Sequence, residues 1–246
     1  MSSTKSDREN FGSKAPIVEA MIDFGSHTDL DKDGLHAVAM AMETEFPEVD
    51  ERFETSFTLT MNADGSSSTS SSEFLGFVLR HENRATQIRR NGFSVSHLHP
   101  YDSWSKLKSD TNRLWLENAP KCSFKHVHRI AVRYINEITL PGSHGLGHWL
   151  ALRPALPSVF LDGPDVAKMR VQQFVKEYGA TAIVTLDIKA IRPTGRPILL
   201  DIECLVEDQR LSPEEDQIWK ILERLRDLKN NIFFDSLTDS AKELLR

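Results

Sequence analysis

The sequence predicts an α+β fold of two similar lobes, each a mainly antiparallel sheet with helices packed on one face. Three observations predict it. Short runs compatible with strands fill both halves, each set of runs ends in a longer segment with helical spacing, and a stretch rich in proline and glycine between Pro141 and Pro164 separates them. The divisions that follow are a disordered polar tail over 1–14, an N-terminal lobe over 15–141, a connecting segment over 142–164, and a C-terminal lobe over 165–246 ending in helices.

The elements follow in order. "PIVEAMIDF", from Pro16, reads as a buried strand. Leu35, Val38, Ala39, Met42 and Phe46 then fall at helical spacing, and Pro47 closes the run. "SFTLTMNA" alternates as a strand, and "DGSSSTSSS" after it reads as a mobile hairpin tip, since serines bury nothing. "EFLGFVLR", "ATQIRR" and "FSVSHL" follow as short strands turned at Glu82-Asn83 and Asn91-Gly92. Asp102 suits an N-cap for a helix whose Trp104, Leu107, Thr111 and Leu114 share one face. "HVHRIAVRYINEITL" is apolar at both parities through its middle, which predicts a strand covered on both sides. "MRVQQFV", "ATAIVTLDIKAI" and "RPILLDIECLVED" are strands of the second half. Ser212, Pro213 and Glu215 form a capping box for a helix with Ile218, Leu222, Leu225 and Leu228 on one face, which Asn230-Asn231 should break before a final short helix. No residue-level repeat accompanies the likeness of the halves.

With 246 residues, 39% apolar and 27% charged, the chain has material for a real core, and its net charge of -6 argues against a general affinity for nucleic acid or anionic lipid. Two cysteines, Cys122 and Cys204, make neither a disulfide framework nor a zinc pattern. No apolar run is long enough to span a bilayer and the start "MSSTKSDREN" is polar, so a cytoplasmic protein is expected.

Charge is unevenly placed. Residues 1–73 carry 5 basic and 15 acidic groups, whereas residues 74–133 carry 11 and 4. This basic island includes Arg80, Arg84, Arg89, Arg90, Lys121, Lys125, Arg129 and Arg133, with Tyr101 and Trp104 near in sequence, a composition suited to single-stranded nucleic acid. The favoured alternative is that these cations face the acidic segment or an acidic partner. Arg133 falls on the strand expected to be covered, so its guanidinium needs a carboxylate. Glu19 and Asp201 are the candidates for a structural ion pair, favoured over a ligand site in which Arg133 works with Tyr134 and Asn136.

His97/His99 and His126/His128 have the alternate spacing of one strand face, but no further ligand can be placed, so no metal and no cofactor are expected. "DLDKDG" at 29–34 imitates a calcium loop, yet Met40 stands where the bidentate glutamate belongs. The acids suit the start of the first helix instead. The one catalytic pattern is Asp165 followed by Asp187 and Lys189, with Asp201 and Glu203 on the next strand. It resembles a metal-dependent nuclease core, and equally the solvated face of a hairpin.

"PIVEA" at 16–20, "GFSVSHLHPYDSW" at 92–104, "RYINEITLP" at 133–141, "LLDIE" at 199–203 and "KNNIFFDSLT" at 229–238 resemble, in the same order, the motifs of a sporadically distributed, uncharacterised bacterial protein family of about this length. The resemblance implies a patchy distribution of the mobile or defence-associated kind, and no activity, cofactor or catalytic residue. His97 stands where the family's pattern has an arginine. The expected function is a non-enzymatic binding or accessory protein acting with a protein partner, with a homodimer as a further possibility, and with Trp219, Phe233 and Phe234 as the partner surface or as a cap on the core. The alternatives are a metal-dependent nuclease and a non-catalytic binder of RNA or single-stranded DNA.

Overall fold

The computed structural model describes residues 15–62, 65–155, 157 and 164–246, the side chains of 57–67 aside; the expected tail over 1–14 and part of the expected connecting segment lie outside them. In chain order the elements are β1 (Ile17–Gly25), α1 (Lys32–Met40), β2 (Glu48–Asn62), β3 (Gly65–His81), β4 (Arg84–Arg89), β5 (Gly92–Leu98), α2 (Trp104–Asn118), β6 (Arg129–Leu140), α3 (Leu146–Trp149), β7 (Ala167–Val175), β8 (Ala180–Ile188), β9 (Arg196–Val206), α4 (Asp216–Ser236) and α5 (Asp239–Leu244). The nine strands form one antiparallel sheet in the order β2-β3-β4-β5-β1-β6-β9-β8-β7. The fold is α+β, as the alternation predicts. Two separate lobes are not what the strands build, because β6, expected in the N-terminal lobe, pairs with β9 of the expected C-terminal lobe from Ile130↔Val206 to Leu140↔Arg196 and carries one sheet through both.

The same plan runs twice through that sheet. A central strand (β1, β6) leads through a helix to an outlying meander, the meander works back to pair with its own central strand (β5 on β1, β9 on β6), and a long helix (α2, α4) follows. Strand parity then fixes the layers. Ala20, Ile22 and Phe24 of β1, Ile130, Val132 and Tyr134 of β6, and Ile198, Leu200, Ile202 and Cys204 of β9 all face the helices and are buried. Trp115 of α2 sits in this core, 4.5 Å from the ring of Phe24 and 5.7 Å from that of Phe93, with its Nε1 donating to Pro213 O at 2.8 Å. One side chain thereby holds both strands of its own half and the approach to α4.

The helix-free face is polar, which corrects the expectation that β6 is covered on both sides. Residues of the other parity, among them Arg129, Arg133 and Glu137, stand in water or in ion pairs there. Val127 to Leu140 look apolar at both parities because Ala131 and Ile135 fill gaps between those pairs.

Four further expectations are corrected. The serine run is strand, not tip: β3 pairs with β2 from Glu48↔Arg80 out to Asn62↔Gly65, and Ser56 and Ser71 join their hydroxyls at 2.6 Å across the ladder. Backbone pairing, which needs no buried side chain, makes it so. The helix α4 runs through Asn230-Asn231 to Ser236, since the apolar stripe continues to Phe233 and Asn231 Nδ2 donates to Tyr178 Oη at 2.5 Å. The N-cap of α2 is Ser103, which accepts from Lys106 N at 3.2 Å, one residue past Asp102. The β4–β5 turn uses Arg90 and Asn91, because Gly92 already pairs with Arg89. Gly76 at φ +155 is irreplaceable in β3, where a Cβ would lie 2.1 Å from Ile88 O.

Candidate functional site: an aromatic pocket with a buried lysine

A pocket of about 490 Å³ opens on the helix side of the sheet, between α4, the loop 99–104 and the start of β1. Four of the predicted binding residues meet there: Tyr101, Trp104, Tyr134 and Asn136. Loop 99–104 leaves β5 through a cis His99–Pro100 bond, is held by Asn83 Nδ2 donating to Pro100 O at 2.9 Å and His99 N donating to Val18 O at 3.0 Å, and so delivers Tyr101 over β6. The Tyr101 and Tyr134 hydroxyls lie 3.1 Å apart. Asn136 is buried and fixed by Nδ2 donating to Leu200 O at 3.0 Å. Trp104 Nε1 donates to the Glu223 carboxylate at 3.0 Å, which ties α2 to α4 across the mouth, and Lys108 reaches Glu223 at 2.6 Å. The strand register of β1 on β6 slips between Ile17 and Glu19, beside the pocket wall, an irregularity of the kind found next to binding sites.

The far wall is α4, with Arg226, Lys229, Phe233 and Phe234. Lys229 is 8% exposed, and its Nζ lies 3.7 Å from the centroid of the Tyr134 ring. Among the described residues no carboxylate pairs with it. Burial, with the Arg226 charge adding to it, pushes Lys229 down to about 7, while neighbouring Cys204 acts weakly the other way. Burial pushes Tyr101 up to about 12 and Tyr134 well above its usual value, so both phenols keep their protons at neutral pH. Arg226 lies 5.7 Å from the Trp104 ring centroid. The wall thus carries two phenols and two cations, of which Arg226 also lies 3.9 Å from Glu223, and among the described lining residues Asp102 is the acid.

Sequence reading missed Arg226 and Lys229. The signal was present: Lys229 falls four residues after Leu225 and four before Phe233, on the stripe that α4 buries, where a charged group needs a reason.

The other predicted residues divide between structure and surface. Arg133 donates to Asp201 from Nε at 2.9 Å and Nη2 at 2.7 Å, so this predicted pair forms, on the helix-free face and partly in water. Glu19, the other candidate, accepts instead from Ser96 Oγ at 2.8 Å. Arg89 pairs with Asp23, and Arg129 spans Asp23 at 2.6 Å and Glu203 at 2.5 Å. Arg90 lies 3.9 Å from Glu73, Arg84 and Arg113 share Glu45, and Lys125 reaches Asp29 at 3.5 Å. Most of the basic island therefore meets the acids of the first segment and of β9; Arg89, Arg129 and Arg133 stand on the helix-free face, across the sheet from Tyr101 and Trp104, while Arg84 lies on the helix side over Phe46 and is held by Glu45. A stacking groove does not assemble.

Nor do the nuclease candidates gather. Asp187 is bound by Lys189 at 2.5 Å, Asp201 by Arg133 and Glu203 by Arg129, while Asp165 is exposed ahead of β7. Among the described residues no three His, Cys, Asp or Glu side chains are grouped to hold a metal. His97 is buried with Nε2 3.0 Å from Asp110 Oδ2, the two atoms near but not aligned for a hydrogen bond, whereas His99 is exposed in the loop. His128 stacks on His27 at 4.7 Å. Of the predicted partner surface, Trp219 packs edge-on to Phe24 at 6.1 Å, and Phe233 and Phe234 line the pocket.

Among the described residues no helix is long and apolar enough to cross a membrane. Comparison with protein-family models and with curated proteins finds no match for this chain.

Proposed function

We propose that the protein is a non-enzymatic binding protein whose site is the pocket beneath α4, and that its ligand presents a carboxylate on an apolar body. One observation carries this reading. Lys229 is buried on the pocket wall, Arg226 stands one turn away, and the ring of Tyr134 is the only described polar contact of the Lys229 ammonium. A buried ammonium is costly without an anion, and the cavity beside it has room for one. Trp104, Phe233 and Phe234 supply the apolar and aromatic surface that would hold the body of the ligand.

Two sources share this chemistry, a free carboxylic acid and the C-terminal residue of a protein partner, and the accessory role expected from the sequence corresponds to the second. Calorimetric titration distinguishes them. The probes are phenylpropionate, a short peptide ending in phenylalanine, and the same peptide with its C-terminus amidated. Binding of the acid or the free-ended peptide, with uptake of protons above about pH 7 and a loss of at least about tenfold in Lys229→Met, supports the reading. Equal binding of the amidated peptide, or binding of neither carboxylate, overturns it.

A further inference from the structure

We infer that the pocket takes an oxo acid and holds it covalently, through a reversible imine between Lys229 Nζ and the ligand's carbonyl carbon. The inference rests on the carboxylate reading above and deepens it, by naming the second functional group of the ligand. The geometry supplies each part. Lys229 projects from α4 into a cavity of about 490 Å³, its Nζ is packed on the Tyr134 ring, and the Tyr101–Tyr134 hydroxyl pair lies on the same wall. Arg226 on the preceding turn, itself 3.9 Å from Glu223, adds a second positive charge to the wall that the ligand's carboxylate would face.

Addition needs a neutral amine. The groups around Lys229 set its state: Arg226 on its own helix repels the proton, Cys204 on β9 and Tyr134 on β6 are uncharged at neutral pH, Asp102 lines the same pocket, and Glu223 is engaged by Trp104, Lys108 and Arg226. Burial is the main cause of the lowered proton affinity, as in lysines that form Schiff bases in apolar pockets.

The step balances without a redox partner. The amine lone pair forms the C–N bond as the carbonyl π pair moves to oxygen, which takes a proton from the phenol pair. The carbinolamine then breaks its C–O bond, the oxygen leaves as water with the two hydrogens of the amine, and the phenols recover their protons. A C=N bond remains.

The test is trapping. Full-length protein is mixed with phenylpyruvate and sodium cyanoborohydride, digested, and mapped by mass spectrometry. The expected adduct is the mass of the oxo acid less one oxygen, on the peptide bearing Lys229, forming more than about tenfold faster than on any other lysine near pH 7. Its rate should climb through about pH 7 and level off above, and should fall several-fold in Tyr101→Phe. The readout is the site of modification in the wild-type protein, so it does not depend on a variant folding. Labelling spread over surface lysines, or no adduct on Lys229 while phenylpropionate still binds, overturns the imine and leaves the carboxylate reading standing. Failure of phenylpropionate to bind as well removes both.

Discussion

Lys229 sets the chemistry of the pocket against the stability of the fold. In the unfolded chain its ammonium titrates near 10.5, and in the folded protein burial brings that down to about 7. Between these values the unfolded state holds more protons, so stability falls as pH drops from 10.5 to about 7 and is level below that. Lys229→Met keeps the volume and removes the charge. The variant should be more stable than the wild type at pH 7 by something on the order of a few kcal/mol, after allowing for the lost contact with Tyr134. The gap should close as pH approaches 10.5. Thermal denaturation across that range checks it. A wild type as stable as Lys229→Met at pH 7 would mean that the ammonium already has an anionic partner.

At the scale of elements, the helix-free face shows which ion pairs matter. Asp23 on β1 is 13% exposed and answers both Arg89 from β4 and Arg129 from β6. Arg133 is 41% exposed and answers Asp201 alone, although Glu203 is its direct neighbour in the ladder, because Arg129 already holds Glu203. Asp23→Ala leaves two partly buried guanidiniums and should cost about 2–3 kcal/mol, whereas Arg133→Leu should cost no more than about 1 kcal/mol. Urea denaturation of both variants decides between them, and equal losses would restore Arg133 to the status of a buried structural charge. Parity placed Arg133, Ala131 and Ile135 together from sequence alone. It could not show that their face lacks helices, nor that β9 lies on one flank of β6 and β1 on the other, so Asp201 and Glu19 remained equal candidates until strand order separated them. The pocket was half legible for the same reason. Tyr101, Trp104, Tyr134 and Asn136 are residue types that draw notice as binding groups, while Lys229, although it opens the motif at 229–238, falls on an apolar stripe whose leucines alone suffice to predict the helix.

Over the whole molecule, the repeat of meander and helix is legible in the sequence, but its boundary is not: the expected division at 142–164 leaves β6 with the first half, whereas β6 opens the second run of the plan. Nothing in "PIVEAMIDF" or "HVHRIAVRYINEITL" says that these two strands choose each other, since pairing between residues over a hundred positions apart depends on which edges remain after local hairpins close. Once they pair, the consequence is physical. Ile22, Phe24, Ile130 and Val132 belong to a single core, which continues from Phe77 under α1 to Val184 under α4, and Trp115 carries it across to the segment before α4. Unfolding one half would strip the central strand of the other of its partner along the ladder from Ile17↔Asn136 to Gly25↔Arg129 and expose its buried face. The chain should therefore unfold in one cooperative transition, with calorimetric and van't Hoff enthalpies that agree. Two separated heat-absorption peaks would instead mean that the two runs of the plan, divided before β6, are independently stable. The same coupling extends to the site, because its walls come from β1 and loop 99–104 of the first half and from β6 and α4 of the second. A carboxylate ligand that binds there should raise the temperature of that single transition rather than split it, by an increment that grows with ligand concentration and vanishes in Lys229→Met.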